Sequence, residues 1–285
     1  MQAKAVAPGT LYVVGTPIGN LEDITLRALR VLKEADLIAC EDTRQTQKLL
    51  QHHGIETPTI SYHEYNEAER ATELVAKLKA GTSVALVSDA GMPGISDPGY
   101  RVINLAIESG IPVVPLPGAS AFLSALTASG FATDSFHFGG FLPAKSGQRR
   151  HVLEAICGVD HTVAFYEAPH RIVEALEDVV EVLGTRRRVV VAREVTKLHE
   201  EFLRGTSGEI LDQLRRRVGV KGEITLLIAK ADAEQAGTQP KAGVRERMQQ
   251  LLHGEKLEEK DALKKLAKEM GVSKSQVYRL WQRSR

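Results

Sequence analysis

The chain has 285 residues, of which 43% are hydrophobic and 26% charged, a composition typical of a soluble globular protein. The length allows two domains, and the absence of any run of about 18 apolar residues argues against a membrane-spanning protein. Two distant cysteines and no secretion signal in the first ten residues argue against a disulfide framework or a zinc site. A cytoplasmic protein without a bound metal is therefore expected.

Charge is distributed unevenly along the chain, although the net charge is only +1. Residues 241–285 contain 12 Lys and Arg against 6 Asp and Glu, whereas the rest contains 25 basic and 30 acidic residues. A basic tail on an acidic body predicts a polyanionic partner. A solvated helical tail is the alternative, and charge alone does not separate the two.

Strand and helix patterns alternate through residues 1–130. Strands are predicted at 11–14, 37–40, 83–87 and 111–115, and helices at 24–35, 43–53, 66–80, 100–107 and 119–129. Such alternation predicts an N-terminal α/β domain with a mostly parallel sheet covered on both faces.

The pattern changes after residue 130. Residues 131–148 are rich in Gly, Phe and Pro, which predicts a linker at the start of a second α/β domain over 131–235. Strands are predicted at 162–166, 189–192, 201–204 and 224–229, and helices at 171–183 and 207–218. Because no long helix separates the strands near 190–205, part of this sheet is expected to be antiparallel.

Residues 241–285, after a polar linker at 233–242, are predicted to form a small helical domain. Apolar stripes at 262–270 and 277–281 flank a turn at 271–275, the pattern of a helix-turn-helix. This favours contact with nucleic acid. A helical hairpin that packs on its own protein or on a second subunit is the alternative.

Three loops rich in small residues follow predicted strands, at 15–20, 88–99 and 115–121. None has the GxGxxG or GxxxxGK[ST] pattern of nucleotide-binding loops. Because open α/β sheets bind ligands at the carboxyl ends of their strands, the loops predict one shared pocket. Asp89 and Asp97 suit a ligand with a cationic or hydroxyl-bearing part better than a bare phosphate.

Charged residues cluster at strand ends in the second half, at 165–171, 193–201 and 221–223. Surface ion-pair networks would give the same pattern and would contribute little stability. Lys145, Arg149 and Arg150 form a further basic group after the predicted linker, which is a candidate contact for RNA.

In combination and order, these motifs resemble the ribosomal RNA small subunit methyltransferase I family of the tetrapyrrole methylase superfamily, the class III S-adenosylmethionine enzymes. The resemblance covers residues 11–231 and rests on Gly15-Thr-Pro-Ile-Gly-Asn-Leu-Glu-Asp-Ile-Thr25, Ser88-Asp-Ala-Gly91, Ser96-Asp-Pro-Gly99, Pro117-Gly-Ala-Ser-Ala121, Gly140-Phe-Leu-Pro143, Phe165-Tyr-Glu-Ala-Pro-His-Arg171 and Lys221-Gly-Glu223. The chain departs from the family pattern at Met92-Pro-Gly94, where Thr-Pro-Leu is frequent.

The resemblance implies a class III methyltransferase-like α/β fold, with two α/β domains, a cleft between them and a helix-turn-helix-like appendage. It implies a homodimer that methylates the ribose 2′-hydroxyl of a decoding-region cytidine in 16S rRNA of the small ribosomal subunit. The cofactor would be S-adenosyl-L-methionine. Mapped by motif, donor contacts fall on Pro17, Asp89, Ala90, Gly91, Ile95, Ser120, Ala121 and Tyr166.

Transfer to a hydroxyl requires alignment of the reactants and removal of a proton. The predicted proton acceptor lies in the clusters at 165–171 and 193–201, and it is Glu167 or His170. Arg171 and Lys197 are expected to hold the adjacent phosphate or to lower the pKa of the hydroxyl. No metal is required.

Three other functions are alternatives to this hypothesis. A corrin or sirohaem C-methylase would share the fold and the donor pocket, but it would not explain the basic tail. A non-catalytic RNA-binding protein would explain the tail and leave the three loops without a purpose. A nicotinamide dehydrogenase would require a glycine fingerprint that the sequence does not contain.

Overall fold

A computed structural model describes residues 5–231, 244–255, 257–270, 274, 277–278 and 281–282. The chain divides into two compact units. The first combines the residues up to Glu154 with Thr162–Ala229, and the second combines Ala155–His161 with the described residues from Lys230 onward. The division into three domains at residues 130 and 241 stays a prediction.

The first sheet of the first unit has five parallel strands in the order β3-β2-β4-β1-β5. The strands are β1 (Leu11–Val14), β2 (Leu37–Cys40), β3 (Thr59–Ser61), β4 (Val84–Val87) and β5 (Val113–Leu116). The helices are α1 (Leu26–Glu34), α2 (Thr43–His52), α3 (Glu67–Lys79), α4 (Tyr100–Glu108) and α5 (Ala121–Ser129). The predicted parallel sheet is confirmed, and β3 is an additional edge strand of only three residues.

Both faces of this sheet are covered, as the alternation predicts. Tyr12 and Val14 of β1 belong to a core cluster that also contains α1 and α2 residues. Leu11 belongs to the opposite cluster, together with buried residues of α3 and α4. The alternation follows from the period of two along a strand, which points successive side chains to opposite faces.

The second sheet is mixed, with the strand order β6-β7-β10-β8-β9. Its strands are β6 (Phe136–Phe141), β7 (Thr162–Glu167), β8 (Arg188–Arg193), β9 (Glu201–Thr206) and β10 (Ile224–Ile228), and its helices are α6 (Ser146–Ala155), α7 (Ile172–Leu183) and α8 (Ser207–Arg215). Only β6 and β7 pair in parallel, which confirms the predicted antiparallel part. The linker predicted at 131–148 is wrong, because this segment forms the edge strand β6 and the start of α6.

Helix α5 follows the last strand of the first sheet, yet it packs on the second sheet. Its Ala125 and Leu126 are buried in one cluster with Ala164, Val190 and Leu227 of the second sheet. This packing places the amino end of α5, and the loop before it, beside the second sheet.

Arg149 is not a surface residue, so its prediction as an RNA contact is wrong. The side chain is 2% exposed, and its Nη2 and Nε both lie 2.7 Å from Oδ2 of Asp178 on α7. The neighbouring Arg150 is half-exposed and pairs with Asp178 and Glu181. A guanidinium can be buried here because a carboxylate balances its charge. Lys145 is exposed, and contact of Lys145 and Arg150 with RNA stays a prediction.

The second unit contains α9 (Val244–Gln249), which continues as a π-helical turn at Gln250–Gly254, and α10 (Glu259–Met270). Its core contains Met248, Leu251, Ala262, Leu263, Leu266, Ala267, Val277 and Trp281. The apolar stripes predicted for the tail are thus buried where they are described. The predicted linker at 233–242 and the predicted turn, apart from Lys274, lie outside the described residues. In the part of the chain that the structure describes, no helix is long and apolar enough to cross a membrane.

Candidate functional site

The three glycine-containing loops meet at one edge of the first sheet, because they follow the neighbouring strands β4, β1 and β5. The backbone N–H of Thr16 donates to the Gly91 carbonyl at 2.9 Å, and the Gly91 N–H donates back at 3.2 Å. The hydroxyl of Thr16 donates to the Ser88 carbonyl. The loops after β1 and β4 are therefore fixed to each other by their backbones.

The loops after β1 and β5 touch through two glycines. A Cβ built on Gly118 would lie 2.7 Å from Cα of Gly15, and a Cβ on Gly15 would lie 2.7 Å from Cα of Gly118. No real side chain tolerates such a distance to a backbone atom. Glycine at both positions is therefore a requirement of the loop arrangement.

These loops form one wall of a cavity of about 920 Å³ that also borders the second sheet. Seven of the eight predicted donor contacts line it, namely Asp89, Ala90, Gly91, Ile95, Ser120, Ala121 and Tyr166. The eighth, Pro17, is buried and is not among the lining residues, whereas the next residue, Ile18, is. The sequence interpretation of one shared pocket thus agrees with the geometry.

The cavity is acidic. Its lining includes five carboxylates, those of Glu41, Asp89, Asp97, Glu167 and Glu223, and none of its described lining residues is Lys, Arg or His. Such a wall attracts a cation and accepts hydrogen bonds from hydroxyl groups, while it repels a phosphate.

Crowding among these carboxylates changes their protonation. Burial, together with repulsion from Glu41 and Asp89, raises the pKa of Asp97 to about 7. Burial also raises the pKa of Glu41 and of Asp89 above their ordinary values. Asp97 therefore changes its charge near neutral pH.

Glu167 ends β7 and is buried beside the cavity. Its Oε1 accepts the Ala168 N–H at 2.7 Å and lies 2.7 Å from Nη2 of Arg171. Its Oε2 has no hydrogen-bond partner among the described residues, although it is buried. A buried carboxylate oxygen without a partner is costly and is characteristic of a functional position. His170 is exposed and does not line the cavity.

Lys197 lies behind the cavity wall and is held by carboxylates. Its Nζ is 3.0 Å from Oε1 of Glu194 and 3.2 Å from Oε2 of Glu223, and only Glu223 lines the cavity. The backbone of Glu194 and of Thr196 has positive φ, which is uncommon for residues with a side chain. The loop thus fixes Lys197 against Glu223, and neither Lys197 nor Arg171 lines the cavity.

Sequence reasoning did not find Glu41 and Glu223 as site residues. Glu41 directly follows β2, and a position directly after a strand of the first sheet is the same signal that identified the three glycine-containing loops. Glu223 precedes β10, which is antiparallel to β7 and β8, so the start of β10 lies beside the carboxyl ends of those strands. The position of Glu223 depends on the orientation of β10 relative to β7 and β8, which cannot be read from the sequence.

Among the described residues, no group of three or more His, Cys, Asp and Glu side chains is arranged to hold a metal ion.

The sequence of the chain is similar to known methyltransferases. The sequence model of the tetrapyrrole (corrin/porphyrin) methylases matches residues 10–211. The ribosomal RNA small subunit methyltransferase I of Halalkalibacterium halodurans is 47% identical over 277 residues, covering 96% of this chain and 94% of that protein. The protein of the same name from Synechocystis is 46% identical over 272 residues, covering 95% and 97%.

Solved structures show the same fold at low sequence identity. Diphthine synthase is 16% identical with a TM-score of 0.61, covering 78% of this chain and 90% of that one. The uroporphyrin-III C-methyltransferase of Thermus thermophilus, solved with S-adenyl homocysteine, is 20% identical with a TM-score of 0.55, covering 77% and 97%.

The two sheets and the cavity at their strand ends define a methyltransferase of the tetrapyrrole methylase class, which confirms the predicted fold class. Within that class, the chain belongs to the ribosomal RNA small subunit methyltransferase I family. The family that the loop motifs resemble is thus confirmed.

Proposed function

We propose that the protein methylates the ribose 2′-hydroxyl of a decoding-region cytidine in 16S rRNA, in the cytoplasm and as a homodimer. The methyl donor is S-adenosylmethionine, as the sequence predicts. The names of the relatives support ribosomal RNA of the small subunit as the substrate class. The observation that carries the proposal is the acidic cavity, whose wall is built by the three donor-type loops.

The cavity fits this donor. The backbones at Gly15 and Gly118 approach closely, and Gly91 and Gly118 line the cavity without a side chain, which leaves space for a flat group beside them. S-adenosylmethionine supplies an electrophilic methyl group on a positively charged sulfonium. Asp89, Asp97 and the neighbouring carboxylates favour that charge and accept hydrogen bonds from hydroxyl and amino groups.

Glu167 is the proton acceptor that the geometry favours over His170. Its Oε2 is buried, faces no partner and belongs to a residue that lines the cavity, whereas His170 is exposed outside it. Arg171 contacts the other oxygen and so orients the carboxylate rather than contacting RNA. A positioned base of this kind contributes about 10²–10⁴-fold to a rate.

Lys197 is assigned to positioning Glu223, instead of holding a phosphate. Its ammonium group already contacts two carboxylates, and the aliphatic chain lies against Gly19, where an added Cβ would be 2.3 Å from Cγ of Lys197. The lysine thus holds the carboxylate of Glu223 in place at the cavity.

A direct experiment tests the proposed function. Purified protein is incubated with methyl-labelled S-adenosylmethionine and small ribosomal subunits from a strain that lacks the activity. We expect label in 16S rRNA at one cytidine, resistant to alkaline cleavage because its 2′-oxygen is methylated. Label on a corrin or porphyrin and none on RNA would instead support the C-methylase alternative.

Donor binding is expected to tighten by about fivefold as the pH rises from about 6 to about 8, because ionised Asp97 attracts the sulfonium. Asp97→Asn should remove most of this dependence, while exposed Asp134→Asn should retain it. Titration calorimetry at three pH values measures the effect. A flat profile in the wild-type protein would contradict the role given to Asp97.

The Asp97 carboxyl also affects folding stability, and its contribution to stability decreases as the pH rises, whereas donor binding is expected to tighten. The folded state holds the Asp97 proton more tightly than the unfolded chain, so this contribution is present below about pH 4 and is lost as the pH rises through about 7. The Asp97→Asn variant should therefore resist urea better than the wild type at about pH 8.

Deletion of residues 241–285 is expected to weaken RNA binding by about tenfold at moderate salt and to reduce its salt dependence, because basic residues are removed. Donor affinity should not change. Filter binding at several salt concentrations provides the measurement. Unchanged RNA affinity would make the tail a packing element.

A further inference from the structure

The cavity has an apolar rim around its acidic interior. Ile95, Leu123 and Phe141 all line it, and their side chains are 44%, 42% and 57% exposed. Single exposed apolar residues are common on protein surfaces. Three of them at the opening of one cavity form a surface suited to a flat, uncharged group.

Phe141 is directed to this rim by an irregularity in β6. Phe138 pairs with Ala164 and Phe141 pairs with Tyr166, so three steps along β6 match two along β7. A bulge of this kind redirects a side chain and is frequent beside active sites.

Two glycines make the bulge possible. A Cβ on Gly139 would lie 2.4 Å from Cε1 of Phe165, and Gly140 has a φ of +66°. A larger residue at position 139 would collide with the buried ring, and a side chain at 140 would be strained. The backbone before Phe141 is therefore specialised, and the exposure of the ring follows from it.

The ring of Phe141 is held without being covered. Tyr166 contacts it in a T-shaped arrangement, with centroids 5.5 Å apart and planes at 63°. An edge contact fixes the orientation of a ring and leaves a face open for stacking. Phe141 and Glu167, the favoured proton acceptor, both line the same cavity.

We propose that Phe141 is the stacking platform for the base of the acceptor nucleotide, an inference that rests on the proposed function. The carboxylates in the cavity repel phosphate, so the uncharged base and ribose enter while the flanking phosphates remain outside. A base within a helix is not available for such stacking, so the acceptor nucleotide is unpaired or turned out of its stack.

The test compares Phe141→Ala and Phe141→Leu with Phe141→Trp, using small ribosomal subunits as substrate. Loss of the ring should lower kcat/KM for RNA by about tenfold, since base–aromatic stacking has that strength. The leucine variant keeps apolar volume without a ring and should lose as much as the alanine variant. The tryptophan variant should retain activity.

Phe136→Ala is the matched control, because Phe136 lies on the same strand, is 41% exposed and does not line the cavity. It should leave kcat/KM for RNA unchanged, and donor affinity, measured separately by calorimetry, should be unchanged in all variants. Sedimentation checks the oligomeric state.

Three results would overturn the platform while leaving the proposed function intact. These are wild-type kcat/KM in the Phe141→Leu variant, a parallel loss of donor affinity, and a change of oligomeric state that accounts for the loss. A wild-type protein that fails to methylate ribose in rRNA would overturn the proposed function itself, and the platform with it.

Discussion

Replacement of Glu167 by Gln is expected to lower the rate of methyl transfer by about 10²–10⁴-fold, because it removes a positioned proton acceptor. The glutamine carbonyl can still accept from the Ala168 N–H and the Arg171 guanidinium, as Oε1 of Glu167 does. The amide then stands where Oε2 stood and cannot take a proton. Single-turnover rates at saturating donor and RNA measure this step without a contribution from binding.

His170→Ala is the control for this variant. The side chain is exposed, lies three residues from Glu167 and does not line the cavity, so its removal should leave the single-turnover rate unchanged. Donor affinity should be similar in both variants. A Glu167→Gln enzyme with wild-type turnover would eliminate this carboxylate as the acceptor, and a loss in His170→Ala would transfer the role to histidine.

Gly118→Ala is expected to weaken donor binding by about a hundredfold, because a displacement of about 1 Å in a positioned wall has effects of that size. The new Cβ would lie 2.7 Å from Cα and 3.0 Å from the carbonyl carbon of Gly15, and backbone atoms cannot rotate away. The two loops must therefore separate. The resulting strain should also lower the free energy of unfolding by about 1–3 kcal/mol.

Calorimetry with the donor and urea unfolding measure the two effects. Gly15→Ala should resemble Gly118→Ala, since both create the same collision from opposite sides. Gly147→Ala is the control, because a Cβ at Gly147 meets nothing within 4 Å. Normal donor affinity in Gly118→Ala would mean that the contact between the glycine loops does not set the cavity wall.

The sequence predicts the parts of the fold that local patterns specify. Regular alternation of apolar strands and amphipathic helices predicts the first sheet, and loops that follow its strands must meet at one edge. Six of the eight predicted donor contacts line the cavity for that reason, and a seventh, Tyr166, reaches it from β7 of the second sheet.

Features that depend on distant partners are not predicted in the same way. The Gly139-Gly140 pair indicates a linker, yet it allows a bulge in an edge strand that pairs with β7. Arg149 has the local pattern of a solvent-exposed residue, and only its contact with Asp178, 29 residues away, explains its burial. Glu223 reaches the cavity because β10 is antiparallel to its neighbours.

Because α5 packs on the second sheet, a cut of the chain at residue 130 would separate this helix from its packing partners. A fragment that ends at residue 130 would carry this helix away from the sheet that buries it, with Ala125 and Leu126 exposed to water. The remaining fragment would have a corresponding uncovered face around Ala164 and Leu227. Each fragment would lack the partner of one apolar surface, so we expect the two fragments to associate through the surface that α5 fills in the intact chain.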